Sequence, residues 1–170
     1  MLLRFGYKSG NMVYTEREGE TVKKRNVCIW IFAAYCALMI WLLFGRERYN
    51  TVPDYWQQVA LNFNPVPLET IVQFVGFLVG DYSDALKQHA IVNLVGNVIM
   101  FVPLGFFPAL LWKRFRPLWR CLLWGGLIIV CVELTQLFTL VGSCDLDDLM
   151  LNLVGIAMGY GLYRLLRRTP

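Results

Sequence analysis

Apolar runs alternate with short charged clusters along this chain. The runs Val27 to Phe44, Ala90 to Trp112, Leu118 to Val141 and Leu146 to Leu166 are each long enough to cross a hydrocarbon layer, which takes about 20 mainly apolar residues in a helix. Lys23-Lys24-Arg25 precedes the first run, Lys113-Arg114 and Arg116 separate the second from the third, and Arg164, Arg167 and Arg168 close the fourth. The third carries one formal charge in its apolar body, Glu133, and the fourth opens on Asp147-Asp148, so its first turn sits at the interface. The pattern predicts an all-α polytopic membrane protein with four transmembrane helices.

Between the first two spans lies segment 45–89, with Pro53, Pro65 and Pro67. Its apolar stretch around Ile71 to Gly80 is too short to span and too hydrophobic for water, which predicts an interfacial or re-entrant helix. Asp54-Tyr55-Trp56-Gln57-Gln58-Val59 has the mixed aromatic and polar character of a headgroup-level segment. The segment reads as a cover laid over the outer surface, or else as a connecting loop with one dipping helix. Residues 1–26 are polar and lack helical periodicity, so they read as a flexible cytoplasmic tail ahead of a single transmembrane domain, 27–166, and a short tail, 167–170. The first apolar run is longer than that of a secretory signal and lacks a small-residue cleavage site, so it reads as a retained anchor.

Composition changes the picture only by closing other doors. The chain is 57% hydrophobic and 16% charged, against about 45–50% and about 25% for soluble domains. A soluble core could not hide so much apolar surface, and a disordered chain would not carry it. Charge then sets the orientation. With both termini in the cytoplasm, 13 of the 16 basic residues lie inside, leaving Arg46, Arg48 and Lys87 outside; this is the positive-inside pattern, N-in and C-in. The formal net charge of +4 is therefore an average over a basic inner face and an acidic outer one. A basic inner rim matches anionic lipid headgroups and gives no argument for nucleic acid.

Candidate chemistry is sparse. Five cysteines, four of them within spans, form no C-x-x-C and outline no disulfide framework. The single histidine, His89, has no second histidine for zinc, and no Ser/His/Asp set or phosphate-binding glycine loop can be assembled. No cofactor is implied. Polar side chains inside the spans are costly and face bundle interiors or cavities. Asn93 and Asn97 share one face of the second span, Glu133 and Gln136 one face of the third, and Asp145, Asp147, Asp148 and Asn152 open the fourth. At 1.5 Å per residue, Asn97, Glu133, Gln136 and Asn152 fall roughly 7–12 Å below the outer boundary. Interhelical hydrogen bonding accounts for asparagines; an ionisable glutamate is more than packing requires. The hard oxygen ligands of the aspartate cluster are those a divalent cation takes, although no EF-hand spacing is present. Gly155 and Gly159 form a small-xxx-small face, and Pro103 should kink the second span and free a carbonyl; both read as packing features.

Asn93-Leu94-Val95-Gly96-Asn97, running into Phe101-Val102-Pro103-Leu104-Gly105-Phe106, resembles the first signature of the VanZ-like membrane protein family. Glu133-Leu134-Thr135-Gln136, then Asp145-Leu146-Asp147-Asp148 and Asn152-Leu153-Val154-Gly155, resembles its second. Leu61-Asn62-Phe63-Asn64-Pro65 to Ile71 is similar to a looser Asn/Pro motif after the first span, and the likeness covers about residues 28–165. Many members carry an arginine shortly before the aspartates; Val141-Gly142-Ser143-Cys144 has none, so Arg46, Arg48, Lys87 or a cation would have to replace it. The resemblance implies a bacterial plasma membrane and, through the founding member's association with teicoplanin resistance, envelope or lipopeptide-related work.

Two expectations follow from these readings. The favoured one is a binding protein for an amphiphile, whether a lipid, a lipid-linked cell-wall precursor or a lipoglycopeptide acyl portion. Asn93, Asn97, Glu133, Gln136, Asp145, Asp148 and Asn152 would contact it, and Trp56, Phe74 and Phe77 would line its apolar part. The competitor is a membrane-embedded, metal-assisted hydrolase or transferase with Glu133 as general base; the absence of a nucleophile counts against it. A blander option is a structural protein assembling through Gly155 and Gly159.

Overall fold

The computed structural model describes residues 9–45 and 52–168. Its elements are α1 (Ser9–Phe44), α2 (Tyr55–Leu61), β1 (Phe63–Asn64), α3 (Glu69–Val79), α4 (Asp84–Leu111), a 3₁₀ turn (Lys113–Phe115), α5 (Leu118–Thr139), β2 (Cys144–Asp145) and α6 (Leu146–Arg168). Four of these helices are long and apolar enough to cross a membrane: the Val22–Phe44 part of α1, then α4, α5 and α6 to Arg167. The outward faces are apolar, with Trp30 75% and Val79 82% exposed among many others. Water would not tolerate so continuous an apolar surface, whereas lipid tails do.

Two boundaries differ from those the apolar runs predict. α1 reaches back to Ser9, through residues read from composition as a loose tail. α4 begins at Asp84 after Ser83, six residues before the apolar run, because Asp84 to His89 can extend the helix into the polar zone at no hydrocarbon cost. Arg46 and Arg48 lie outside the described residues.

α4 and α6 form the tightest pair in the bundle, and small residues are the reason. A Cβ on Gly155 would collide with the Val98 carbonyl oxygen, one on Gly159 with that of Val102, and one on Gly105 with that of Ile156. Three missing side chains thus allow the two backbones to touch, as small-xxx-small faces do in lipid. The Gly155/Gly159 face is consequently filled by α4 of the same chain and is not open to a partner. Around this contact lies the core of Met39, Phe101, Leu104, Ala109, Cys121, Ile129, Ile156, Tyr160 and Tyr163. α1 is the least buried span and touches α4 and α5 only lightly.

Both prolines of α4, Pro103 and Pro108, lie inside the helix. A proline removes one intrahelical bond and disturbs the carbonyls of the turn before it, which neighbouring helices must then satisfy. Tyr35 of α1 donates its hydroxyl to the Met100 carbonyl at 2.8 Å, and the Cys121 thiol of α5 lies 3.6 Å from that of Gly105. Each of these carbonyls stands three residues before a proline.

Candidate functional site

The site is assembled where α5 turns into α6. Leu140 ends α5 in the left-handed region at φ 56°, so the chain reverses and Cys144–Asp145 runs parallel to Phe63–Asn64. The Cys144 amide donates to the Asn62 carbonyl at 2.8 Å, and Asn62 Nδ2 reaches the Gly142 carbonyl at 3.4 Å. Buried Gln58 donates to Asn62 Oδ1 at 2.9 Å and holds it in place. The Tyr55 hydroxyl donates to the Phe138 carbonyl at 2.8 Å. In this way the segment between α1 and α4 is stitched to the end of α5.

The aspartates tighten the same seam. Asp147 is fully buried; one carboxylate oxygen accepts from the Leu68 amide at 2.5 Å and the other from the Ile71 amide at 3.0 Å. Leu68, in the left-handed region at φ 65°, precedes the first turn of α3 and supplies no side-chain cap. Asp147 is therefore an N-cap delivered from another helix: it satisfies amides without intrahelical acceptors and sets a negative charge against the positive end of the dipole. Asp145, also buried, accepts from the Asp147 amide at 2.8 Å, from the Thr70 hydroxyl at 2.5 Å and from Asn64 Nδ2 at 3.4 Å. Backbone amides and small polar side chains thus satisfy these two carboxylates, the task for which a nearby cation was considered. Among the described residues no three His, Cys, Asp or Glu side chains come together so as to hold a metal ion.

Of the residues singled out by spacing, several meet and two do not. Asn97 Nδ2 of α4 donates to Asp148 Oδ1 of α6. Glu133, 7% exposed, has the Asp145 backbone amide facing its carboxylate and Asp148 nearby. Its Oε2 and the Oδ1 of buried Asn152 have no hydrogen-bond partner among the described residues. Gln136, by contrast, turns to α1 and donates to the Leu43 carbonyl at 2.8 Å. Asn93 donates to the His89 carbonyl of its own helix at 2.9 Å, one turn away from the cluster. Phe74 packs on Phe77 and on His89, and Trp56 is exposed, so neither supplies a wall.

The walls come from elsewhere. A cavity of about 150 Å³ has Glu133 and Asp145 at its polar end, with Phe63, Val130, Leu134 and Leu149 as apolar sides and Asn64-Pro65 as part of its rim. Sequence reasoning missed the wall residues and Thr70, since an apolar residue in a span carries no signal of facing a hole.

Cys144, also on this cavity, lies between the spans. Burial pushes its thiol up from the ordinary range, and Glu133, Asp145 and Asp148 push the same way. A raised thiol pKa leaves less thiolate at neutral pH, so maleimide labelling of a variant retaining only Cys144 is expected to be slow at pH 7 and to climb through alkaline pH. Adding Asp148→Asn removes one negative neighbour and should raise the rate severalfold at fixed pH; an unchanged rate would show that these charges do not reach the sulfur.

Comparison with known proteins places the whole bundle. The family model described as VanZ/LLP1 matches residues 32–167, from within α1 to the end of α6. The chain belongs to the VanZ-like family. It is similar to the uncharacterized membrane protein YwnJ of Bacillus subtilis (strain 168), with 30% identity over 112 residues, 66% of this chain and 74% of YwnJ. It is also similar to Protein VanZ of Enterococcus faecium, with 25% identity over 138 residues, 79% of this chain and 72% of VanZ. No solved structure matches. With four apolar helices and membrane-protein relatives, this VanZ-like chain is a multi-pass membrane protein.

Proposed function

We propose that this VanZ-like protein binds the apolar part of an amphiphile in the cavity beneath Asn64-Pro65, with Glu133 at its polar end. In this reading both termini are cytoplasmic, α2 and α3 lie in the outer interface, and the cavity opens in the outer leaflet of a bacterial plasma membrane. The carrying observation is the pairing of an apolar-sided hole of about 150 Å³ with a buried glutamate whose Oε2 has no partner among the described residues. An apolar cavity of that size takes a benzene-sized group, which suits the end of an acyl chain or a branch of one. Candidate ligands are a membrane lipid, a lipid-linked cell-wall precursor or the acyl portion of a lipoglycopeptide, the last because of the shared family with Protein VanZ; a contribution to teicoplanin-type resistance would follow. The metal-assisted hydrolase reading gains no observation, since Asp145 and Asp147 are committed to hydrogen-bond donors.

Native mass spectrometry of the protein released from nanodiscs tests the proposal. The wild type is expected to retain lipid or added teicoplanin. Val130→Trp, which fills the cavity, should reduce retention by an order of magnitude, roughly the loss of 1.4 kcal/mol. Glu133→Gln should weaken headgroup-dependent retention while leaving the fold intact. A wild type that retains neither class of ligand, or two variants indistinguishable from it, would sink the reading. A reporter fused at the C-terminus should be active only in its cytoplasmic form.

A further inference from the structure

The opposite end of the bundle carries a second concavity, distinct from the Glu133 cavity and independent of the function proposed for it. It encloses about 670 Å³ between Arg25 of α1 and the chain that links α4 to α5, with Lys113, Arg114 and Arg116 around it and Leu110, Leu111 and Trp112 forming its apolar floor. Among the described residues no carboxylate lines it. We propose that this groove is a binding site for the headgroup of an anionic phospholipid, with the phosphate held by Arg25, Lys113, Arg114 and Arg116.

Three observations carry the assignment. Four cations drawn from two separate parts of the chain face one space, and a bound anion would relieve what repulsion solvent leaves between them. α4 ends and α5 begins at this turn, so the helix-end partial charges oppose one another and do not change that balance. The turn is also built, not loose. The Tyr160 hydroxyl of α6 donates to the Arg116 carbonyl at 2.6 Å, Arg114 lies over the Phe115 ring at 4.6 Å, and Trp112 packs edge-on against Phe32 of α1. Arg116 is half-buried and its Nε has no hydrogen-bond partner among the described residues, so this part of the guanidinium is desolvated and open to an acceptor. Finally, the apolar floor distinguishes a lipid from a free anion. A phosphate alone would use the cationic rim, whereas a phospholipid also covers Leu110, Leu111 and Trp112 with its glycerol and first methylenes. Basic pockets between transmembrane helices recognise anionic headgroups in this way.

The test uses the full chain, delipidated in detergent and titrated with cardiolipin while bound lipid is counted by native mass spectrometry. Saturable cardiolipin binding is expected, with phosphatidylcholine bound much more weakly. Lys113→Gln combined with Arg114→Gln should lower cardiolipin affinity about 20-fold. Arg25→Gln, on a different helix, should lower it severalfold, and Arg114→Lys should retain most of it. All three positions are exposed, and equal thermal stability without lipid will separate lost binding from lost fold. Wild-type affinity in the charge-removing variants, or equal binding of phosphatidylcholine, would overturn the proposal. Displacement of cardiolipin by millimolar inorganic phosphate would overturn it in favour of a free-anion site.

Discussion

Replacing Asp147 by alanine is expected to detach α3 from the bundle and to cost about 3 kcal/mol of stability, the scale of two charge-assisted hydrogen bonds lost from a buried place. The Leu68 and Ile71 amides meet the carboxylate at 2.5 and 3.0 Å, and Leu68 at the N-cap position supplies no side-chain acceptor of its own. Asp147→Asn preserves volume but turns one acceptor into a donor that faces another donor, so it should recover no more than half of the loss. Hydrogen exchange gives the decisive measurement. Protection should fall across residues 68–79 while the middle of α6 stays protected, because the opening is local. Unchanged protection of that segment would show that the cap is dispensable. If α2 and α3 shape the cavity rim, the same variants should also weaken ligand retention without touching a cavity wall.

Gly159→Ala is expected to separate α4 from α6, with a loss of roughly 2–3 kcal/mol, typical of overpacking where nothing can move aside. The atom in the way is the Val102 carbonyl oxygen, part of a helix backbone. Gly105→Ala and Gly155→Ala meet the Ile156 and Val98 carbonyls and should behave alike. Three other glycines provide the contrast. A Cβ on Gly125 meets only the side chain of Ile156, clashing with its terminal Cδ1 methyl and touching Cγ1 and Cγ2 at 3.5 Å, and one on Gly96 or Gly161 meets nothing within 4 Å. Thermal unfolding in detergent should therefore rank Gly105, Gly155 and Gly159 as severe, Gly125 as intermediate and Gly96 and Gly161 as neutral. Equal effects at Gly159 and Gly161 would mean that the helix contact is softer than the backbone approach implies.

The long helices were legible because lipid imposes a length and an apolar composition that no other environment demands. Leu118 marks the start of α5 and Leu146 that of α6 in both readings. The family likeness was legible in Glu133, Gln136 and the aspartates; the spacing put Asn97 level with Glu133, Gln136 and Asn152, while the structure pairs Asn97 with Asp148. Direction was not legible. Gln136 shares a helix face with Glu133, yet its amide donor is turned to the Leu43 carbonyl at the nearby end of α1. Asn93 lies one turn beyond Asn97, where its own helix offers the His89 carbonyl. Least visible of all was the task of Asp145 and Asp147. Apart from the Asp147 amide, two residues from Asp145, their partners lie between 75 and 81 residues away, and a cluster of acids reads the same whether it awaits a cation or already caps a helix. The unusual Leu68 conformation that makes the cap necessary leaves no trace in composition.

The two halves of that cap are made at different times. α3 leaves the ribosome well before α6, and Asp147 sits in the first turn of α6. Until then α3 has neither its acceptor nor the β2 strand against which β1 pairs. The apolar α3 segment thus stays unsecured while α4 and α5 are made, and is fastened only once the first turn of α6 has emerged. A nascent chain halted before Asp147 should carry α3 open to protease, and one extended through α6 should protect it.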